Sequence, residues 1–181
     1  MGPQEITLEE WFAELDQYRE RIPLKVLTSG LKRLCLDFSA VQPLVQFSTE
    51  RYRRNLMHAG PAYHALVLCW RNGQGSPIHD HRGSSCAVRV IRGQATETVF
   101  DMTDEGRVFE FRTHQLPEGF MCATQDLDIH QISNRQPNGA DLITLHLYSP
   151  PLLVMGQYSL TNSVVLDFRD EVHIFAEGAG I

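Results

Sequence analysis

Between about position 50 and position 168 the chain is cut by glycine and proline into runs of strand length, and this punctuation limits the possible folds most. Tyr63–Trp70 is a nearly unbroken apolar run. Cys86–Ile91 and Ala95–Phe100 flank Arg92-Gly93-Gln94, which reads as a hairpin turn. Val108–Arg112 alternates, Pro117-Glu118-Gly119 marks a turn, and Leu142–Tyr148 and Ser163–Phe168 continue the series. Many short strands of this kind predict an antiparallel sandwich or barrel. The chain carries no internal repeat, linker or low-complexity stretch.

The first 48 residues follow a different period. Thr7-Leu-Glu-Glu10 is a capping box, in which the Glu10 side chain reaches back to the Thr7 amide. Leu8, Trp11, Phe12, Leu15 and Tyr18 then recur at helical spacing, and Pro23 closes that segment. A second helix is predicted around Leu24–Asp37, weakened by Gly30, and Ser39 is a candidate cap for a short helix through Val45. These helices are expected to cover the outside of the strands. At 181 residues the whole chain fits one domain, helical over about 1–48 and β over about 49–181.

Chemistry concentrates in His79-Asp80-His81. Side chains at i and i+2 of an extended segment share a face, so two imidazoles aim at one point. A later His130, with Asn134 four residues on, offers a third nitrogen. Three imidazoles suit zinc, copper, iron or nickel. A zinc hydrolase would want a general base beside the metal water, and no carboxylate has a strong claim to that role. Asp80 points to the opposite face and reads as a structural acceptor. His58, His64, His114 and His173 lack partner spacing and read as structural.

The formal net charge of -6 argues against nucleic-acid binding. No apolar run reaches membrane-spanning length, and the N-terminus lacks the pattern of a signal peptide. Cys35, Cys69, Cys86 and Cys122 form no CxxC pair, which argues against structural zinc and a disulfide framework and points to a reducing cytoplasm. No apolar surface stripe is evident, so a monomer is expected.

Gly73-x5-His79-x-His81-x4-Cys86-x6-Gly93 resembles the first motif of the cupin fold, with cysteine where most cupins carry a glutamate ligand. Pro117-x-Gly119 followed by His130-x3-Asn134 resembles the second. This implies a mainly β, jelly-roll cupin barrel with the N-terminal helices packed outside. Over roughly positions 48 to 170 the chain further resembles the cysteine dioxygenases, thiol dioxygenases of the cupin superfamily. The match rests on Tyr52-Arg-Arg-Asn-Leu56, Leu68-Cys-Trp70, His79-Asp-His81, Cys86, Glu97-Thr-Val-Phe-Asp101, His130 and Leu145-His-Leu-Tyr-Ser-Pro-Pro151.

That resemblance implies an Fe(II) cofactor held by His79, His81 and His130, with a small thiol and O2 as reactants and cysteine sulfinate as product. It assigns Arg54, with Tyr52 beside it, to the substrate carboxylate. A guanidinium fork matches a carboxylate through two charge-assisted bonds. Arg51 and Arg53, on the opposite face, read as solvated charges. The resemblance places a hydroxyl residue, a histidine and a tyrosine in line, here Thr144, His146 and Tyr148, and implies a thioether between Cys86 and Tyr148. It also implies a cis Ser149–Pro150 bond. Trp70 and Met155 are candidates for packing around the pocket. Relatives that prefer 3-mercaptopropionate usually carry glutamine at the Arg54 position, so Arg54 favours L-cysteine. The alternatives are a dioxygenase for another small thiol acid such as 3-mercaptopropionate, a non-catalytic metal-binding cupin that senses a ligand, and a metal-dependent isomerase or decarboxylase.

Overall fold

The structure, a computed structural model, describes residues 4–125 and 129–174. Helix α1 (Leu8–Leu15) opens with the capping box: Glu10 N donates to Thr7 Oγ1 at 3.2 Å and Thr7 N to Glu10 Oε2 at 2.8 Å. Helix α2 spans Leu24–Arg33, shorter than the sequence pattern suggested. Its Gly30 serves packing: a Cβ there would sit 2.1 Å from Trp11 Nε1, so α1 and α2 approach as closely as they do because position 30 has no side chain. The short helix α3 (Phe38–Val41), which continues as a 3-10 turn over Gln42–Leu44, is capped by Asp37 rather than Ser39. The Asp37 carboxylate accepts from Ser39 N at 3.0 Å.

The strands are β1 (Arg53–Gly60), β2 (Tyr63–Trp70), β3 (Ile78–His79), β4 (Ser85–Arg92), β5 (Ala95–Met102), β6 (Val108–Leu116), β7 (Met121–Gln125), β8 (Ile129–Ser133), β9 (Leu142–Ser149), β10 (Met155–Tyr158) and β11 (Leu166–Phe168). They form two antiparallel sheets, ordered β1-β2-β9-β4-β7 and β11-β10-β3-β8-β5-β6. The two sheets make a jelly roll of the cupin kind, and among the described residues their hydrogen bonding does not close into a barrel. The turn at Gly93 is not a hairpin. β4 pairs with β7 and β9, whereas β5 pairs with β6 and β8, so the positive-φ glycine carries the chain from one sheet to the other.

The core is split by the five-stranded sheet. On its inner face Leu66, Leu68, Trp70, Val88 and Val90 meet Ile132 and Met155. On its outer face Ala65, Ala87, Leu145 and Leu147 lie under Trp11, Leu15, Leu27 and Leu31. Burial on both faces explains why Tyr63–Trp70 and Leu142–Tyr148 read as apolar runs rather than clean alternations. The alternation survives on β9 as chemistry: Leu145 and Leu147 face the helices, while Thr144, His146 and Tyr148 face inward.

After β11 the chain crosses back to β1. His173 N donates to Arg54 O at 2.8 Å, and Leu56 N donates to His173 O at 2.9 Å. This C-terminal strap thus ties the edge of one sheet to the edge of the other. No described helix is long and apolar enough to cross a membrane.

Candidate metal centre

His79 ends β3, His130 lies directly opposite it on β8, and His81 follows two residues after His79. Their ligand nitrogens lie within 4.8 Å of one another, and all three side chains are buried. Each ring is treated differently by its neighbours. His79 Nδ1 faces the Pro77 carbonyl at 3.0 Å, which makes Nδ1 the protonated nitrogen and leaves Nε2 with a free lone pair. His130 Nδ1 lies 2.8 Å from Glu97 Oε1 on β5, a carboxylate orienting an imidazole as in many metal sites. Both ring nitrogens of His81 are buried with no hydrogen-bond partner among the described residues. A buried polar atom left unsatisfied is costly, and a metal ion bound to one of these nitrogens would remove that cost for that nitrogen. The donor set therefore fits a transition metal.

Burial, with the neighbouring His130 adding to it, lowers His79 to a pKa of about 3 and drives His81 well below the usual imidazole value. His79 and His81 are therefore neutral at pH 7, the form a metal requires. Burial alone would raise the carboxyl of Glu97, but the hydrogen bond and charge of His130, with His114 and Arg112, more than offset it and lower it. Asp80 points away, as the alternation requires. It accepts from Gly156 N at 2.9 Å and from the Tyr158 hydroxyl at 2.7 Å, so its role is structural.

Beside the histidines a small cavity of about 10 Å³ is lined by Tyr52, Arg54, Leu68, Trp70, Ser76, Cys86, Ile132, His146 and Tyr148. On β9 the inward side chains form a hydrogen-bonded line. Trp70 Nε1, which can only donate, gives its proton to Thr144 Oγ1 at 3.0 Å. His146 bridges the next two groups, with Nε2 2.9 Å from Thr144 Oγ1 and Nδ1 2.9 Å from the Tyr148 hydroxyl. Burial, reinforced by Arg54, keeps His146 well below the normal imidazole pKa, and burial together with Cys86 keeps Tyr148 protonated. Cys86 on β4 is the direct cross-strand partner of Tyr148.

Arg54 on β1 of the same sheet and the preceding Tyr52 are both buried, with the Arg54 guanidinium carbon 5.5 Å from the Tyr148 ring centroid. The Arg54 guanidinium is held by carbonyls, donating to Leu152 O at 3.1 Å and to Asp170 O at 3.4 Å. The Tyr52 ring stacks on Trp70 with centroids 4.1 Å apart, and its hydroxyl donates to the Asp170 carboxylate. Arg51 departs from its reading as a solvated charge, because its guanidinium also donates to Asp170.

The structure thus brings every residue singled out for the site into one region, with Met155 in the adjoining core. The Ser149–Pro150 bond is cis. Asn134 serves structure instead, donating to the carbonyls of Trp70 and Ala140 at 3.0 and 2.8 Å. His58 pairs with Asp16 under α1 and His173 lies in the strap. Asp170 was not legible in the sequence: it stands 116 positions from Arg54, with no local pattern to mark it. Glu97 lay inside a quoted motif, but its bond to His130 became visible only in the structure.

Residues 37–161 match the family model described as cysteine dioxygenase type I. The chain is 35% identical over 115 residues to cysteine dioxygenase type 1 of Danio rerio, covering 59% of this chain and 55% of the relative. It is 32% identical over 137 residues to that of Bos taurus, covering 71% of this chain and 68% of the relative. The chain thus spans about half the length of several of the curated relatives it matches. Among solved structures, TT1209 from Thermus thermophilus superposes with a TM-score of 0.52 at 14% identity, covering 61% of this chain and 94% of that one. A protein with a double-stranded beta-helix domain from Klebsiella pneumoniae gives 0.52 at 17%, covering 66% and 94%. These two establish the fold alone.

Proposed function

The chain belongs to the cysteine dioxygenase type I family, and from that membership we propose that it is a non-haem iron enzyme that adds both atoms of O2 to the sulfur of L-cysteine, giving cysteine sulfinate. The observation that carries this reading is the convergence of three buried imidazoles on one side of a cavity whose other wall presents a buried arginine.

His79, His81 and His130 would hold Fe(II), which would bring the thiol and dioxygen together and relay to dioxygen the four electrons that the sulfur gives up in becoming a sulfinate. Arg54 receives the substrate carboxylate. Its guanidinium arrives pre-positioned on two backbone carbonyls, so little side-chain freedom is lost on binding. Thr144 and His146 hold the Tyr148 hydroxyl in place beside the three histidines, where it stabilises negative charge that develops on the reacting sulfur and oxygen. Leu68, Trp70 and Ile132 line the remaining wall and keep bulk water from it. The Cys86 thiol faces Tyr148 at the distance a cross-strand pair allows, and we assign to this pair a thioether formed by loss of two hydrogens during oxidative turnover.

None of the four cysteines is in a disulfide, which fits work in a reducing cytoplasm, and we take the chain to be a single-domain monomer. A dioxygenase for 3-mercaptopropionate is the second reading. Arg54 could bind either acid, and among the described residues no carboxylate lines the cavity to select for the amine. Anaerobic loading with Fe(II), followed by oxygen uptake with L-cysteine, 3-mercaptopropionate and cysteamine, tests both. Fastest uptake with L-cysteine is expected; faster uptake with 3-mercaptopropionate selects the second reading, and no uptake with any thiol removes both.

A further inference from the structure

Arg54 is not the only charge at its end of the cavity. The carboxylate of Asp170, 2% exposed, enters from the C-terminal strap and stands 3.8 Å from Arg54 Nη1. It lies behind the cavity wall rather than in it. Left to itself, a buried carboxylate in that place would neutralise Arg54 and weaken its pull on an incoming substrate carboxylate.

Arg51 prevents this. Its guanidinium reaches Asp170 from the solvent side, with 43% of the side chain exposed, and donates to the carboxylate oxygen that Tyr52 does not use. The rings of Tyr52 and Phe168 flank it, with centroids 5.7 and 5.5 Å from the guanidinium carbon. The cluster therefore holds two guanidiniums and one carboxylate. One positive charge remains, and it belongs to the arginine on the cavity side.

We propose that Arg51 and Asp170 are positioning residues that set the affinity of the cavity for a carboxylated thiol, Arg51 by absorbing the charge of Asp170 so that Arg54 stays uncompensated until substrate arrives. The proposal rests on the reading of Arg54 as the carboxylate receptor. It gives the Asp170 contact a sign: Asp170 weakens substrate binding and Arg51 restores it. A strap anchor with no electrostatic role would make the loss of either partner harmful in the same way.

The test is a double-mutant cycle on the full chain, loaded with Fe(II) and titrated anaerobically by calorimetry at low salt with L-cysteine and with cysteamine, which has no carboxylate. Arg51→Gln should raise the Kd for L-cysteine by about fivefold, a modest effect because the pair is partly screened by solvent. Asp170→Asn, whose amide oxygen can still accept from Tyr52, should leave the Kd at or below that of the unaltered protein. The double variant should return to within about twofold of the unaltered protein, as expected when the two residues act through each other. Cysteamine should bind all four proteins alike. Asp170→Asn weakening L-cysteine as much as Arg51→Gln, or a double variant no better than Arg51→Gln, overturns the proposal. Should Asp170→Asn fail to fold, Arg51→Lys decides: retained affinity supports the charge role, and a loss equal to that of Arg51→Gln rejects it. Failure of the unaltered protein to bind L-cysteine removes the proposed function and this inference together, whereas normal binding with the wrong order of variants removes this inference alone.

Discussion

Cys86 and Tyr148 are direct partners across β4 and β9, and both side chains are buried on the inner face of their sheet, across the cavity from the three histidines of the other sheet. Burial, with Cys122 adding to it, pushes the Cys86 thiol well above its ordinary pKa, so it is protonated and inert without an oxidant. The thioether should therefore be absent before turnover and appear with it. Intact-protein mass spectrometry should show a loss of two hydrogens after incubation with Fe(II), L-cysteine and oxygen, and no loss in Cys86→Ser. An unchanged mass after many turnovers would remove the crosslink.

Arg54→Ala should raise KM for L-cysteine with a smaller effect on kcat. Truncating one member of a buried charge pair typically costs about 2 kcal/mol or more, roughly thirtyfold in binding. Initial rates over a range of cysteine concentrations check this; an unchanged KM removes Arg54 from the carboxylate role.

Glu97→Gln should weaken metal binding by about 10- to 100-fold, because a carboxylate on the far nitrogen of a ligating imidazole raises its basicity and fixes its ring. Competition with a coloured chelator measures it, independently of turnover. Affinity equal to that of the unaltered protein would make the Glu97–His130 contact incidental.

The metal-free protein should lose stability as the pH falls below about 6.5. His79, His81 and His146 all have folded pKa values below the ordinary one, chiefly through burial. Such groups bind protons more readily when unfolded. Their contribution is complete above the unfolded pKa and is lost as the pH drops toward the folded value, about 3 for His79. The expected slope is about 1.4 kcal/mol per pH unit for each histidine. Urea unfolding midpoints at several pH values from neutral to about 5 should fall steadily; a flat profile contradicts the assignment.

Gly30→Ala should destabilise the protein even though alanine is the better helix former. The alanine Cβ would meet Trp11 at 2.1 Å, and such overpacking costs about 1–3 kcal/mol, against the roughly 1 kcal/mol gained in helix propensity. Thermal unfolding compares the two; a raised Tm would mean that Trp11 moves aside freely.

Local patterns carried much of this molecule. The spacing of His79 and His81 and the alternation of Thr144, His146 and Tyr148 were legible because extended backbone converts spacing into a shared face, whereas His130 joins them through pairing of β3 with β8. Long-range choices were not. Gly93 announces a tight turn, but whether that turn joins paired strands depends on which faces are buried, and here it joins two sheets. Gly30 looked like a weakness in a helix because its partner Trp11 lies on another one. Asp170 had no signal, since its meaning comes from Arg51, Tyr52 and Arg54, far away in the chain.

The most direct measurement is the fate of isotopically heavy dioxygen supplied to the Fe(II)-loaded protein with L-cysteine. The product should be cysteine sulfinate carrying two heavy oxygen atoms on sulfur, with oxygen and cysteine consumed one for one. A singly labelled product, a disulfide, or no oxidised sulfur would contradict the assignment of this three-histidine site to thiol dioxygenation.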